Sequence, residues 1–239
     1  YSGLEESIKN AANFTRSDQI ILEEEICLSG RQIAGDGFVT NGELSYFCFA
    51  DENFNHKANG LVPIGQTFPT ELSKSKQKVI KNDTQKILNL LKIDSGALNF
   101  DVVFDKDDKI YFIELGPRNG GCRIPEVIKY HSGIDLIKQT VEQSIGNLEV
   151  KPKAPEENGY WASFMIHSLR EGYFKDIKVD TEFEKNIVDI EIYKEKGDSI
   201  KIFDGSNNTI GSCILKFKSK SEMSAHFEDP EKNIKVILK

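Results

Sequence analysis

The sequence predicts an α+β fold: an antiparallel sheet with helices, followed by a small β-rich C-terminal lobe. Three observations carry this. Apolar runs bounded by turn residues recur through the first half, and two of them face each other across a turn at Asp105 to Lys109. A helical repeat of apolar residues extends from Leu72 to Leu91. After Ile145 helical periodicity gives way to strand-like runs separated by Gly-Asp and Asp-Gly turns.

In chain order, Leu4 to Phe14 reads as a short helix with Leu4, Ile8, Ala11 and Ala12 on one face. Gln19-Ile20-Ile21-Leu22 reads as a buried strand running into the acidic triplet Glu23-Glu24-Glu25. Gln32 to Val39 is a strand, Thr40-Asn41-Gly42-Glu43 a hairpin turn, and Leu44 to Ala50 its partner. Asp51 to Gly60 is polar and reads as a loop. Thr70 is expected to cap the long helix, where Val79, Ile80, Ile87, Leu90 and Leu91 keep helical spacing. Gly96 to Phe104 and Ile110 to Leu115 form an antiparallel pair. Gly116 to Arg123 is a glycine-rich loop and Ile134 to Ile145 a second amphipathic helix. Lys151 to Asn158, rich in Pro and charge, is the expected linker. Beyond it, Tyr160 to Leu169, Ile187 to Tyr193, Ser199 to Phe203, Ile210 to Lys218 and Ile234 to Leu238 read as strands.

The 239 residues suffice for a real core, and 38% hydrophobic with 10% aromatic content excludes a disordered chain. A net charge of −7 speaks against a nucleic-acid binder. No run approaches the roughly 18 apolar residues of a membrane helix, and Tyr1-Ser2-Gly3 leads into a polar stretch without a secretory signal. Cys27, Cys48, Cys122 and Cys213 show no CxxC spacing and read as buried thiols in a cytoplasmic protein.

The residues that carry chemistry gather around one hairpin. Asp101 and Glu114 each lie six residues from the turn centre at Asp107/Asp108. They come out opposite one another, about 5 Å apart at the backbone. Two carboxylates that close repel unless a cation sits between them, and Glu114, closing an apolar run, is expected to be partly buried. Oxygen-only acidic ligands suit Mg²⁺. The same spacing also fits two strand-end acids, one paired to Arg118 and one solvated. Glu114-Leu115-Gly116-Pro117-Arg118-Asn119-Gly120-Gly121 then forms a polar corner. There Arg118 can hold a carboxylate or phosphate in a bidentate fork, and glycines admit a ligand to the backbone. A structural turn with an exposed arginine fits that pattern too. The acidic run after Ile20-Ile21-Leu22 either presents backbone groups to a planar base or is a solvated face.

Taken together, Ile-Ile-Leu-Glu-Glu, Asp-Gly-Phe-Val, a long helix, Phe-Asp-Val-Val-Phe and Tyr-Phe-Ile-Glu-Leu-Gly-Pro-Arg-Asn-Gly-Gly resemble the ATP-grasp superfamily. The resemblance is closest to its carbamoyl-phosphate-synthase-like and biotin-carboxylase-like ligases, and it covers Leu4 to Ile145. It implies a partial ATP-grasp domain over 1–148 (the end of the small lobe plus the large lobe) and a β-rich C-terminal lobe over 149–239. It implies that Glu23 and Ile26, with Glu24 beside them, read the adenine of ATP through backbone groups. Asp101 and Glu114 match the acids that bind magnesium (manganese as the alternative), and Arg118 the arginine that contacts the reacting carboxylate and transferred phosphate. Where the family pattern has Asn two residues after the second acid, this chain has Gly116, and Asn119 is the substitute donor. His56 and Lys57 stand in the region of a phosphate- or substrate-binding pair.

The implied activity is ATP- and Mg²⁺-dependent carboxylate–amine ligation through an acyl phosphate. ATP, a carboxylic acid and an amine are the partners, and neither nucleic acid nor membrane is involved. The chain is expected to be the C-terminal portion of such a ligase, with N-terminal domains supplied in cis or in trans. The alternative is a nucleotide-binding or structural module of the same fold without turnover, which Gly116 favours.

Overall fold

The computed structural model describes residues 3–17, 19–147 and 158–239. Asn41 and Gly42 both take positive φ, 52° and 77°, and close the hairpin between β1 (Ile33–Thr40) and β2 (Glu43–Asn55). A short turn returns β2 into β3 (Asn59–Phe68). Helix α1 (Leu4–Phe14) precedes these strands; after helix α2 (Lys74–Leu91), β4 (Gly96–Phe104) pairs with β1 on its free side and with β5 (Ile110–Gly116) on the other. Helices α3 (Ile124–Ser132) and α4 (Leu136–Ser144) follow.

The strands after the expected linker do two things. β6 (Tyr160–Ile166) pairs with β3, and β10 (Gly211–Phe217) and β8 (Ile187–Ile192) follow it, so one antiparallel sheet runs β5-β4-β1-β2-β3-β6-β10-β8. β7 (Gly172–Val179), β9 (Ser199–Ile200) and β11 (Ile234–Leu238) form a separate three-stranded sheet. The α+β class with its smaller β-rich part is as the sequence indicates. Residues 148–157, holding all of the expected linker but Asn158, lie outside the described residues.

The main sheet is covered on both faces. Ile80 of α2 packs with Ile33, Phe49, Phe100, Val102 and Phe104, and Leu88 with Val39, Leu44 and Leu98. On the other face Ile124, Val127 and Ile128 of α3 and Leu136 of α4 pack with Phe38, Tyr46, Ala50, Phe68 and Trp161. Burying a side chain of that size contributes about 1.5–3 kcal/mol, so these two layers fix the strands that carry the site.

Several local expectations are corrected. Gln19 to Leu22 is not a strand: the segment has no regular structure, and Ile21 and Leu22 are exposed. Thr70 does not cap α2; Ser73 does, accepting from the Lys76 N–H at 3.3 Å, while the Thr70 hydroxyl donates to Asp51 at 2.5 Å. Asp51 to Gly60 is mostly strand, because paired backbone groups offset its polarity. Cys27 is exposed and Cys48 and Cys122 half-buried, leaving Cys213 as the one fully buried thiol. The sequence reading lacked β3, α3, β7 and the helices α5 (Lys220–Glu228) and α6 (Pro230–Asn233).

In α5, His226 sits in an aromatic cage, its ring 4.8 Å from both Phe164 and Phe183. Burial pushes its pKa down to about 3. An unfolded histidine takes its proton near 6.5, so the stability of the neutral cage is complete above that pH and is lost as pH falls toward 3. Replacing His226 with Phe is expected to shrink the stability difference between pH 7 and pH 4.5 by about 2 kcal/mol in paired denaturant titrations.

Candidate functional site

The β4–β5 hairpin brings Asp101 and Glu114 into register as direct partners, with a bulge immediately after Asp101. Asp108 takes positive φ (60°) at the turn, and the Asp105 side chain accepts from the Asp107 and Lys109 N–H groups at 2.9 Å, which fixes the register. Glu114 is 54% exposed in its side chain, not partly buried as its apolar run suggests, because β5 is the sheet's edge strand. Asp101 is set deeper. Burial and then the Glu114 charge push its pKa up to about 6, against the pull of Arg118.

Arg118 folds back over this pair from the glycine loop. Its Nη2 donates to Glu114 Oε1 at 3.0 Å, and its Nη1 to the Asn119 carbonyl at 3.0 Å and to Asn99 Oδ1 at 3.4 Å. The loop is tied to the sheet by Asp36, fully buried in β1, whose oxygens accept the Gly120 N–H at 2.9 and 3.1 Å and Asn99 Nδ2 at 2.9 Å. Burial, its largest influence, moves the Asp36 pKa up to about 6.

Asp36 was not foreseen as a site residue, though an acid between Gly35 and Gly37 in a run of buried strand residues is a visible signal. Glu52 is the second such group. It is 4% exposed; its Oε1 accepts from Gln66 Nε2 at 3.4 Å, and its Oε2 has no hydrogen-bond partner. Burial, then the charge of Asp101, push its pKa up to about 7. Above pH 7 the folded state carries that buried charge at a cost, and below about 4.5 it does not, so folding is favoured as pH falls through this window. Glu52→Gln is therefore expected to stabilise the protein at pH 8 by about 1–2 kcal/mol, with the gain gone at pH 4.5. Chemical denaturation at both pH values checks it.

The other expected residues lie elsewhere. Glu23, Glu24 and Ile26 line a cavity of about 460 Å³ with Glu25, Cys27, Asp105, Lys106, Asp107 and Tyr111. The segment is held along the end of β4 by a Leu28–Asp105 bridge and by the Lys106 N–H donating to the Cys27 carbonyl at 3.2 Å. That cavity is four residues from Asp101, roughly 13 Å along the strand. His56 and Lys57 sit in the β2–β3 turn, six residues along from Ala50 in the row of Asp101, on the order of 20 Å away. The Asn119 amide donates to Thr140 of α4 at 3.0 Å, and its oxygen, buried, has no partner. The hairpin thus brings together Asp101, Glu114 and Arg118, with Asn119 turned toward α4 and His56 and Lys57 apart.

For a divalent cation the donor set fits in kind. Asp101, raised first by burial and then by the Glu114 charge, gains with its partner from a cation, and Mg²⁺ takes one or two carboxylates with the remaining positions on water or phosphate. Among the described residues no group of three or more His, Cys, Asp or Glu forms a closed metal cage. At Gly116 a Cβ would lie 3.7 Å from Glu114 Oε1 and 3.6 Å from Arg118, ordinary contact, so a side chain there would face the pair.

The model of the ATP-grasp domain matches residues 4–126. The chain belongs to the ATP-grasp family. No curated protein sequence matches it. Among solved structures it is similar to phosphoribosylglycinamide synthetase from Anaerococcus prevotii, at 27% identity and a TM-score of 0.74 over 99% of this chain and 61% of that one. It is also similar to L-amino acid ligase from Bacillus licheniformis, at 17% identity and 0.74 over 89% of this chain and 55% of that one. A third is the biotin carboxylase domain of 2-oxoglutarate carboxylase from Hydrogenobacter thermophilus, solved with MgADP and bicarbonate, at 15% identity and 0.65 over 87% and 46%. The last two similarities show the fold alone. The chain spans about half to three-fifths of the length of these proteins. No helix among the described residues is long and apolar enough to cross a membrane.

Proposed function

We propose that this chain is the C-terminal portion of an ATP-dependent carboxylate–amine ligase. The observation that carries the reading is the register-paired Asp101 and Glu114 with Arg118 bonded back onto Glu114, in a chain of the ATP-grasp family. Asp101 and Glu114 would hold magnesium, which when bound would supply charge neutralisation for the nucleotide phosphates. Arg118 contacts the substrate carboxylate and the transferred phosphate. The cavity of Glu23, Glu24 and Ile26 takes the adenine, one nucleotide's reach along β4. His56 and Lys57 stand outside this set. The 1–148 portion supplies these groups, and 149–239 extends the sheet that supports them.

In the first step a substrate carboxylate oxygen attacks the γ-phosphorus and ADP leaves. The amine then attacks the acyl carbon, inorganic phosphate leaves, and the amine proton passes to water. The test is Mg²⁺-dependent ADP release from the full protein with a panel of carboxylic acids, the acyl phosphate being trapped by hydroxylamine as a hydroxamate. Hydroxamate formed only with ATP, Mg²⁺ and one acid class supports the reading. Neither ADP nor hydroxamate from any acid overturns it.

A second reading, nucleotide binding without turnover, is favoured by Gly116, which offers no side-chain donor beside Glu114. On that reading Gly116→Asn raises Mn²⁺ affinity, measured by electron paramagnetic resonance, about 10-fold. On the first reading the native chain already holds the metal and the variant changes little.

A further inference from the structure

Asp36 is fully buried in mid-strand, and the proposed reaction gives it no substrate to touch. A buried carboxylate is costly unless N–H donors surround it. Here they do: the Gly120 N–H reaches both oxygens, and Asn99 Nδ2 reaches one. The approach depends on glycine, because a Cβ at Gly120 would lie 2.6 Å from Asp36 Oδ1 and 2.9 Å from Asn99 Nδ2.

These bonds also decide which way the Asn99 amide faces. Its Nδ2 is committed to Asp36 and to the Gly35 carbonyl at 3.2 Å, which leaves Oδ1 for Arg118 Nη1. Arg118 is 55% exposed in its side chain, and a long exposed side chain ordinarily samples many rotamers. Its fork is instead bound at Glu114, at the Asn119 carbonyl and at Asn99, and only Asn99 anchors it to the buried sheet. Asp36 also feels the field of the guanidinium, which partly offsets the effect of its burial.

We propose that Asp36 and Asn99 are positioning residues: Asp36 fixes the Gly120 backbone and the orientation of the Asn99 amide, and Asn99 holds the Arg118 guanidinium over Glu114. The proposal rests on the reading of Arg118 as the group that contacts the transferred phosphate.

The test uses the full protein labelled with ¹⁵N-arginine. With five arginines in this chain, the Arg118 Nη–H signals are assigned by their loss in Arg118→Lys. Asp36→Asn and Asn99→Ala are each expected to speed exchange of the Arg118 Nη–H protons, whose Nη1 bonds Asn99, about 10-fold, with the other arginines of this chain unchanged. Asp36→Asn also speeds Gly120 N–H exchange. In ADP release both variants lower kcat about 10- to 100-fold while KM for ATP stays within about 3-fold, the pattern of a misplaced group rather than lost binding. Unchanged Arg118 exchange in Asn99→Ala, which keeps the Asp36–Gly120 bond and so protects the fold, overturns the proposal. Exchange that rises without loss of kcat also overturns it, as a purely structural tie. Failure of the ligase reading is seen separately, as normal ADP release in Asp101→Asn and Glu114→Gln, and leaves the arginine signal to report on the tie alone.

Discussion

Asp101→Asn and Glu114→Gln are each expected to lower Mg²⁺-dependent ATP turnover by about 10³-fold or more, with little loss of stability. The two acids are paired across the hairpin, and each supplies one of the few anionic oxygens available to a divalent cation there. Removing either charge would weaken a bound metal, and removing that of Glu114 would also loosen Arg118, which bonds it directly. Stability responds in the other sense. Asp101 titrates near 6 in the fold against 3.8 as its ordinary value, so above pH 6 its folded ionised form is disfavoured. Asp101→Asn should match or slightly exceed the parent in thermal stability at pH 7.5 and lose that advantage below pH 4. ADP-release kinetics beside calorimetric melts test both halves. Normal turnover in both variants would falsify the metal assignment.

Phe100→Ala has the largest expected effect on stability, about 3–5 kcal/mol. The ring is fully buried on the face of β4 opposite Asn99 and Asp101. It stacks on Phe47 at 4.4 Å with an interplanar angle of 2°, and meets Phe49 edge-on at 5.8 Å. Ile33, Ile80, Val102 and Phe104 complete its surroundings. Truncation leaves a cavity under the strand that presents the acids, and close neighbours in a two-sided sheet cannot all collapse into it. Urea unfolding should show a lower midpoint at unchanged slope. A midpoint within 0.3 M of the parent would show that α2 refills the space.

Much of the candidate site was legible because hairpin geometry is local. Side chains alternate with a period of two, and the turn centre falls between Asp105 and Lys109, so the facing of Asp101 and Glu114 follows from counting. The arginine four residues on and the glycines after it are equally local. Gln19 to Leu22 misled because an apolar run was read as buried, and burial is not a property of the run. α3 was lost to its own sequence, Ile124-Pro125, which reads as a continuing loop, although proline is at home in the first turn of a helix.

What the sequence by itself determined about this protein is therefore its α+β class, the β4–β5 hairpin with its opposed acids, and the glycine loop that returns Arg118 to them. Each is set by residues within about a dozen positions of one another. The tertiary structure alone decided that Glu114 lies open at a sheet edge, that β6 joins the tail to β3, and that Asp36 and Glu52 are buried acids beside the site. Asp36 meets Gly120 across 84 positions, and Gln66, the partner of Glu52, meets Ser163 across 97. No local periodicity encodes contacts of that separation; they exist only once the strands have paired and buried them.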